Sequence, residues 1–282
     1  MPVAVVTDST AYLPSELSGT YALTVVPLTV VINGAEGLEG VEISPAEVAL
    51  ALGQRRAEVS TSRPAPEQFV AAYRRLLAAG AAGIVSVHLS SQLSGTYDAA
   101  TLAAAEIGPQ VQVVDSGTTG MGLGFAALAA STAAGQGANL TAVRQAAVDH
   151  SAQVSTLFYV DTLEFLRRGG RIGAASALLG TALSVKPILH VVDGSIVVRD
   201  KVRTAGRALA RLVDLAVESS GTGEVDIAVH HLGAADRAAA LADAVSMRLG
   251  DRLRDCYITE IGAVVAAHVG PGVAGVVVHR RV

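Results

Sequence analysis

The sequence predicts an α/β protein of two domains: an N-terminal domain with a mainly parallel sheet covered by helices on both faces, and a C-terminal α/β domain with a mixed sheet. Three observations predict it. Short β-branched runs alternate with helical stretches through the first half, a pattern typical of a covered parallel sheet. In the second half, two strand-like runs flank Asp193–Gly194, which favours a hairpin turn. The length of 282 residues suits two domains of ordinary size.

The elements of the first half follow from local signals. Residues 3–7 and 24–32 are β-branched runs and predict strands. Ser44 before a proline, with Glu47 completing a capping box, predicts the start of the first long helix. A second helix follows at residues 66–80, where apolar side chains recur at helical spacing. The remaining predictions of this half are strands at 84–89 and 111–116 and helices at 94–108, 120–134 and 140–152.

From residue 154 the pattern changes. Hairpin and strand–helix units alternate, which together predict a mixed sheet. We therefore predict an N-terminal domain of residues 1–152 and a C-terminal domain of residues 153–282. The predicted elements of the second half are strands at 155–160, 225–232, 255–260 and 275–282, a hairpin at 185–200, short helical pieces at 163–168 and 173–180, and long helices at 204–219 and 234–249.

Composition argues against several classes of protein. A net charge of −4 and 4% aromatic residues do not favour binding to nucleic acid. The single cysteine, Cys256, excludes an internal disulfide framework and suits a reducing compartment. Residues 116–143 carry no charge but consist largely of Ala, Gly, Ser and Thr, which favours a buried helix over a membrane span. We therefore expect a cytoplasmic protein without integral membrane association.

Hydroxyl side chains follow several predicted strands of the first domain. They are Thr7, Ser9, Thr10, Ser60, Thr61, Ser62, Ser90, Ser91, Ser94, Thr96, Ser116, Thr118 and Thr119. Ligands of open α/β sheets bind beyond the carboxyl ends of the strands, where helix N-termini and hydroxyls can bind an anion. Each residue singly is also an ordinary helix cap. Clustering at several strand ends makes an anion-binding pocket as plausible as capping alone.

The usual catalytic and cofactor signatures are missing. There is no GxSxG elbow, no GxxxxGK[ST] loop and no HExxH pair. His230 and His231 are adjacent on a predicted strand and point to opposite faces, so they would not chelate one metal. Gly120, Gly122 and Gly124 indicate close helix packing, because no dinucleotide fingerprint accompanies them. We predict no metal, no cofactor and no catalytic residues of the chain's own.

Two polar features stay open on the residues alone. His268 lies in an apolar run before a Gly-Pro-Gly turn. It is either a core residue or a residue that binds a ligand. The stretch FLRRGGRIG places Arg167, Arg168 and Arg171 around a glycine pair. These arginines bind a phosphate, a partner's carboxylates or only water, and the residues alone do not decide between the three. Lys186 and Arg203 are further cations near element ends.

Together these motifs resemble the DegV family of bacterial fatty-acid-binding proteins, which includes the lipid-carrying subunits of fatty acid kinase. The matching stretches are VVTDST, TSRPAP, SVHLSSQLSGTY, VVDS, LEFLRRGGRIG, VKPIL, KVRT and HVGPG, in the family's order from residue 3 to residue 272. The resemblance covers essentially the whole chain. One departure is Arg63, where a smaller or uncharged residue is common in the family.

The resemblance implies a non-catalytic carrier of a long-chain, palmitate-like fatty acid. The acid would be buried in the N-terminal domain with its carboxylate near the domain interface, where the C-terminal domain would complete the head-group site and supply the partner surface. By its motifs, Thr61 and Ser94 would bind the carboxylate through their hydroxyls. The Gly95 amide and His268 would complete or orient that network. Arg171 and Arg203 would serve a fatty acid kinase catalytic subunit and the phosphorylated head group, as an exposed docking site apart from the lipid tunnel.

Two other functions remain as alternatives. One is an acyl or phosphoryl transferase on the same fold, using Ser94 with His268 as base. The other is a nucleotide or sugar-phosphate binding module, favoured by the glycines and arginines but lacking a phosphate fingerprint.

Overall fold

The predicted two-domain α/β architecture is confirmed by the computed structural model, which describes residues 2–18, 20–54, 57–178 and 185–281. The strands of the first half are β1 (Val3–Asp8), β2 (Leu23–Val26), β3 (Thr29–Ile32), β4 (Ala35–Leu38), β5 (Val59–Ser62), β6 (Gly83–His88) and β7 (Val111–Asp115). Its helices are α1 (Ser15–Ser18), α2 (Pro45–Leu52), α3 (Pro66–Ala78), α4 (Thr96–Ile107), α5 (Met121–Gly135) and α6 (Leu140–Ala152).

The second half begins with a strand that joins a different sheet. Its strands are β8 (Val154–Tyr159), β9 (Lys186–Val192), β10 (Ser195–Val202), β11 (Val225–His231), β12 (Leu253–Glu260) and β13 (Ala274–Arg280). Its helices are α7 (Glu164–Arg168), α8 (Ala205–Ser219), α9 (Ala235–Leu249) and α10 (Ala263–Val269). The helical piece predicted at 173–180 is a 3₁₀ helix over Gly173–Leu178, and its last two positions lie outside the described residues. The domain boundary at residue 152 stays a prediction.

The N-terminal sheet has the strand order β2-β1-β6-β7, and all its pairs are parallel. Side chains alternate between its two faces. Val5 packs with apolar residues of α5 and α6, whereas its neighbour Val6 packs with α3 and α4. Both faces are therefore covered, as the continuous apolar runs predicted.

A small antiparallel sheet, in the order β4-β3-β5, corrects one expectation. The run at 24–32 is two strands rather than one, because the chain leaves the parallel sheet at Pro27, which has no N–H to donate to a ladder. The hydroxyl-rich stretch before α3, for which no element was predicted, is strand β5. This small sheet packs against α2 and α10, and it carries Thr61 toward the C-terminal half.

The C-terminal sheet has the order β10-β9-β8-β13-β11-β12 and is mixed. Only β11 and β12 pair in parallel among its described pairs. The predicted hairpin is confirmed: β9 and β10 join through Asp193 and Gly194, which both have positive φ (48° and 78°), as a type I′ turn requires. Helices α8 and α9 pack on one face of this sheet.

Helix α5 accounts for the uncharged segment. It contacts β1 in the first sheet and β13 in the second, so it lies between the domains and is buried on nearly all sides. A Cβ on Gly124 would lie 2.9 Å from the carbonyl oxygen of Ala11, so the close packing predicted for these glycines is confirmed. Within the described ranges, no helix combines the length and apolar character that crossing a membrane requires.

Candidate functional site

A hydrogen bond between distant parts of the chain marks the site. Thr61 Oγ1, on β5, lies 2.8 Å from His268 Nε2, in the last turn of α10. Burial, and then the positive charge of Arg171, lowers the pKa of His268 to about 4. The imidazole is therefore neutral at neutral pH, and its tautomer decides which partner donates. The structure joins these two predicted head-group residues directly.

Ser94 lies in the turn between β6 and α4. Its hydroxyl is 2.9 Å from Thr96 Oγ1, and its backbone N–H donates to Ser90 at 3.1 Å. Ser94 lines the same cavity as Thr61 and His268. Gly95, the residue before α4, is not among the residues that line this cavity.

Arg171 also lines the cavity, which corrects the expectation of an exposed arginine. It is half-buried because its guanidinium binds two carbonyls: Nε donates to Leu93 at 2.9 Å and Nη1 to Gly169 at 2.6 Å. Gly169 leaves room for the His268 ring beside this turn, since a Cβ at position 169 would lie 2.1 Å from His268 Nδ1.

The other cations of the predicted set lie elsewhere. Arg167 and Arg168 both bind the carboxylate of Glu164, within one exposed turn of α7. Arg203 follows β10, is exposed, and is not among the cavity-lining residues. Lys186 binds Asp161. Of the three arginines in FLRRGGRIG, only Arg171 faces the cavity.

The cavity runs between the two domains, because residues of both halves line it, whereas the resemblance implied a ligand buried in the N-terminal domain. About 990 Å³ of space free of atoms lies along it, part of which is open solvent at its mouth. Ser62 and Arg63 are exposed at the mouth, whereas Gly120 and His230 are buried at the inner end. Its wall is largely apolar, with side chains such as Leu28, Leu93, Phe158, Leu166, Ile196 and Val264. Among the described residues, no Asp or Glu lines it.

The inner end contains residues that sequence reasoning did not assign to a site. His230 accepts from the Met121 N–H at 3.0 Å and pairs through Nδ1 with Thr259 at 2.7 Å. Burial lowers its pKa to about 4, so it is neutral and caps α5 across the domain interface. Thr119 and Thr156 are further polar residues of the cavity lining. The hydroxyls after β7 were the available signal for Thr119. No sequence signal predicted that these hydroxyls and His230 belong to the same cavity.

A buried carboxyl supports α10 from the small sheet. Glu39 Oε1 accepts from the Val264 N–H at 2.7 Å and from the Tyr12 hydroxyl at 3.1 Å, and Glu39 Oε2 accepts from Ser9. Burial raises the pKa of Glu39, and these hydrogen bonds oppose that shift. The network fixes the helix that carries His268, and Tyr12 itself lines the cavity.

The geometry does not assemble the nucleophile–base pair of the transferase alternative. The Ser94 hydroxyl pairs with Thr96, and His268 Nε2 pairs with Thr61. His268 Nδ1 has no partner among the described residues, so no carboxylate orients the ring. In the described parts of the chain, no three His, Cys, Asp or Glu side chains are grouped to hold a metal ion.

A serine–histidine–aspartate chain does exist, away from the cavity. Ser86 Oγ lies 2.7 Å from His88 Nε2, and His88 Nδ1 lies 3.0 Å from Asp8 Oδ2. Tyr73 donates to Ser86 at 2.8 Å, and all these polar groups are fully buried in the N-terminal sheet. No substrate reaches them, so this chain is a satisfied core network.

The fold and cavity define a class: two-domain α/β proteins that enclose an apolar ligand space with a polar mouth at the domain interface. A family model described as an uncharacterised protein of the DegV family matches residues 2–281. The chain belongs to the DegV family.

Curated relatives and solved structures match this chain over nearly its full length. A DegV domain-containing protein of Streptomyces coelicolor is 54% identical over 99% of both chains. A DegV family protein from Thermus thermophilus, with fatty acid binding described, has a TM-score of 0.93 at 35% identity, covering 100% of both chains. DegV of Bacillus subtilis, described as a fatty acid binding protein, has a TM-score of 0.89 at 30% identity with the same coverage.

Proposed function

We propose that this protein is a carrier of a long-chain, palmitate-like fatty acid. The observation that carries the proposal is the combination of an apolar interdomain cavity with a mouth of hydroxyls and cations. Fatty acid binding by the relatives from Thermus thermophilus and Bacillus subtilis supports it.

The tail provides affinity. About 15 buried carbons at roughly 0.8 kcal/mol each give on the order of 12 kcal/mol before other terms. Association costs about 4–15 kcal/mol, so only a closely fitting chain leaves useful net affinity. The cavity wall suits such a chain, because aliphatic side chains from both domains line it.

The head group fixes the position of the ligand along the cavity. A buried carboxylate without partners is costly, so it needs donors. Thr61 and Ser94 offer hydroxyls at the mouth, and Arg171, which forms no ion pair within the described ranges, lies beside them. His268, neutral at neutral pH, orients the Thr61 hydroxyl rather than contributing a charge.

We further propose that the carrier presents its ligand to a separate fatty acid kinase and performs no turnover itself. Arg203 is exposed outside the cavity, as a partner contact requires, and Arg171 lies between the cavity and the α7 turn. Incubation with ATP and palmitate should give acyl phosphate only with added kinase. Product formed by this chain alone would overturn the carrier function.

Solvent extraction and mass spectrometry of the purified protein test the ligand class directly. We expect a stoichiometric fatty acid of about 14–20 carbons, each buried carbon of which adds roughly 0.8 kcal/mol. A bound nucleotide would support the phosphate-binding alternative instead. An empty cavity with no uptake of added palmitate would overturn the proposal.

A further inference from the structure

Arg63 lines the cavity, but the carboxylate site proposed above gives its side chain no role. It follows β5 at the mouth and is exposed. Its Nη1 donates to the Gly95 carbonyl at 3.3 Å. A Cβ on Gly95 would lie 2.9 Å from Arg63 Cδ, so the glycine allows the arginine stem to cross this turn.

Arg171 binds the same turn. Its Nε donates to the Leu93 carbonyl at 2.9 Å. The two guanidinium groups thus bind the carbonyls of the residues immediately before and after Ser94. Ser94 is itself a proposed head-group ligand, so both cations lie at the end of the cavity where the head group binds.

Both cations keep their charge uncompensated. Within residues 2–18, 20–54, 57–178 and 185–281, neither Arg63 nor Arg171 forms an ion pair, and no acidic side chain lines the cavity. Arg167 and Arg168 differ, because Glu164 binds both. Two positive charges without an acidic partner therefore lie at this end of the cavity, and one carboxylate would neutralise only one of them.

We propose that Arg63 makes the mouth selective for an amphiphile with a dianionic phosphate head group over one with a carboxylate. The inference rests on the proposed function, because the tail must occupy the same cavity. A phosphate monoester or acyl phosphate carries a second negative charge near neutral pH and three acceptor oxygens. A guanidinium can bind two of those oxygens at once.

Three ligands with the same sixteen-carbon tail test this on the delipidated full chain, below the concentration at which they form micelles. Hexadecyl phosphate is a dianion at pH 8, hexadecyl sulfate is a monoanion of similar shape, and palmitate is the carboxylate. Calorimetry gives the Kd of each for the wild type, Arg63→Gln and Arg63→Lys. Arg75→Gln is the matched control, because Arg75 is exposed on α3 outside the cavity lining.

We expect Arg63→Gln to lower the affinity for hexadecyl phosphate about fivefold or more, the effect of losing one partly exposed ion pair. The affinities for hexadecyl sulfate and palmitate should fall less than about twofold. Arg63→Lys should recover part of the phosphate affinity, and Arg75→Gln should change none of the three.

Equal losses for all three ligands, or no loss for phosphate, would overturn the role of Arg63. If palmitate still binds in a Ser94-dependent way, the carrier function stands and only this inference fails. If no ligand binds the wild type, both fail.

Discussion

Thr61 and His268 are separated by 207 residues in the chain, yet their side chains form a 2.8 Å hydrogen bond at the cavity. The small antiparallel sheet supplies one partner and α10 supplies the other, while the Glu39 network fixes α10 against that sheet. The proposed head-group site therefore depends on contacts far from either residue, and the stability and pH response of these contacts can be measured.

Replacing Thr61 by Val should weaken palmitate binding by about 1–3 kcal/mol, since a charged acceptor loses one donor while the side-chain shape is kept. Calorimetry on delipidated protein measures it. Ser60→Ala is the control, because Ser60 is exposed and adjacent residues of a strand point to opposite faces. Palmitate affinity that falls equally in both variants would argue against a specific role for Thr61.

His268 should make the protein less stable in acid. Its lowered pKa, about 4, favours the neutral ring in the folded state. That stability is fully present above the unfolded pKa of about 6.5 and is lost as pH falls through about 4, on the order of 2–3 kcal/mol. Urea unfolding at pH 7.5 and 4.5 should show a smaller acid loss for His268→Gln than for the wild type. Parallel losses would contradict the assignment.

Glu39 should act in the opposite direction. Burial raises its pKa, so folding favours the protonated carboxyl, and its contribution is greatest below about pH 4.5 and decreases as pH rises through the folded value. Glu39→Gln should therefore gain stability relative to the wild type between pH 4 and pH 7.5. Melting temperatures at both pH values measure the gain. Glu36→Gln, an exposed site on β4, is the control.

Thr7→Val should stabilise the protein by about 1 kcal/mol or leave it unchanged. The Thr7 hydroxyl is fully buried on β1 and has no hydrogen-bond partner among the described residues, and valine keeps the shape while removing the unsatisfied group. Chemical denaturation measures the change. A loss of more than about 1 kcal/mol would mean that the hydroxyl has a partner, such as buried water.

The sequence predicted the features that depend on local chemistry. Asp193–Gly194 specified the hairpin because its turn needs two residues with positive φ, and Ser44 with Glu47 specified the start of α2. Both signals lie within a few residues of the structure that they form.

The parts that were wrong or missed depend on distant packing. Arg171 was expected on an exposed surface, but the carbonyls of Leu93 and Gly169 hold it at the cavity. His230 was considered only as a metal ligand, whereas it caps α5 across the domain interface. No periodicity or spacing encodes these pairings, because each partner comes from a different element.

The position of β13 affects when the protein can bind its ligand during synthesis. This strand is the last in the described chain, yet it inserts between β8 and β11 in the middle of the six-stranded sheet. Val277 of β13 also lines the cavity. A ribosome-bound chain that has not yet released β13 can fold its N-terminal sheet, but it has no closed C-terminal sheet and no complete cavity. On the proposed function, lipid uptake therefore has to wait until these residues have left the ribosome.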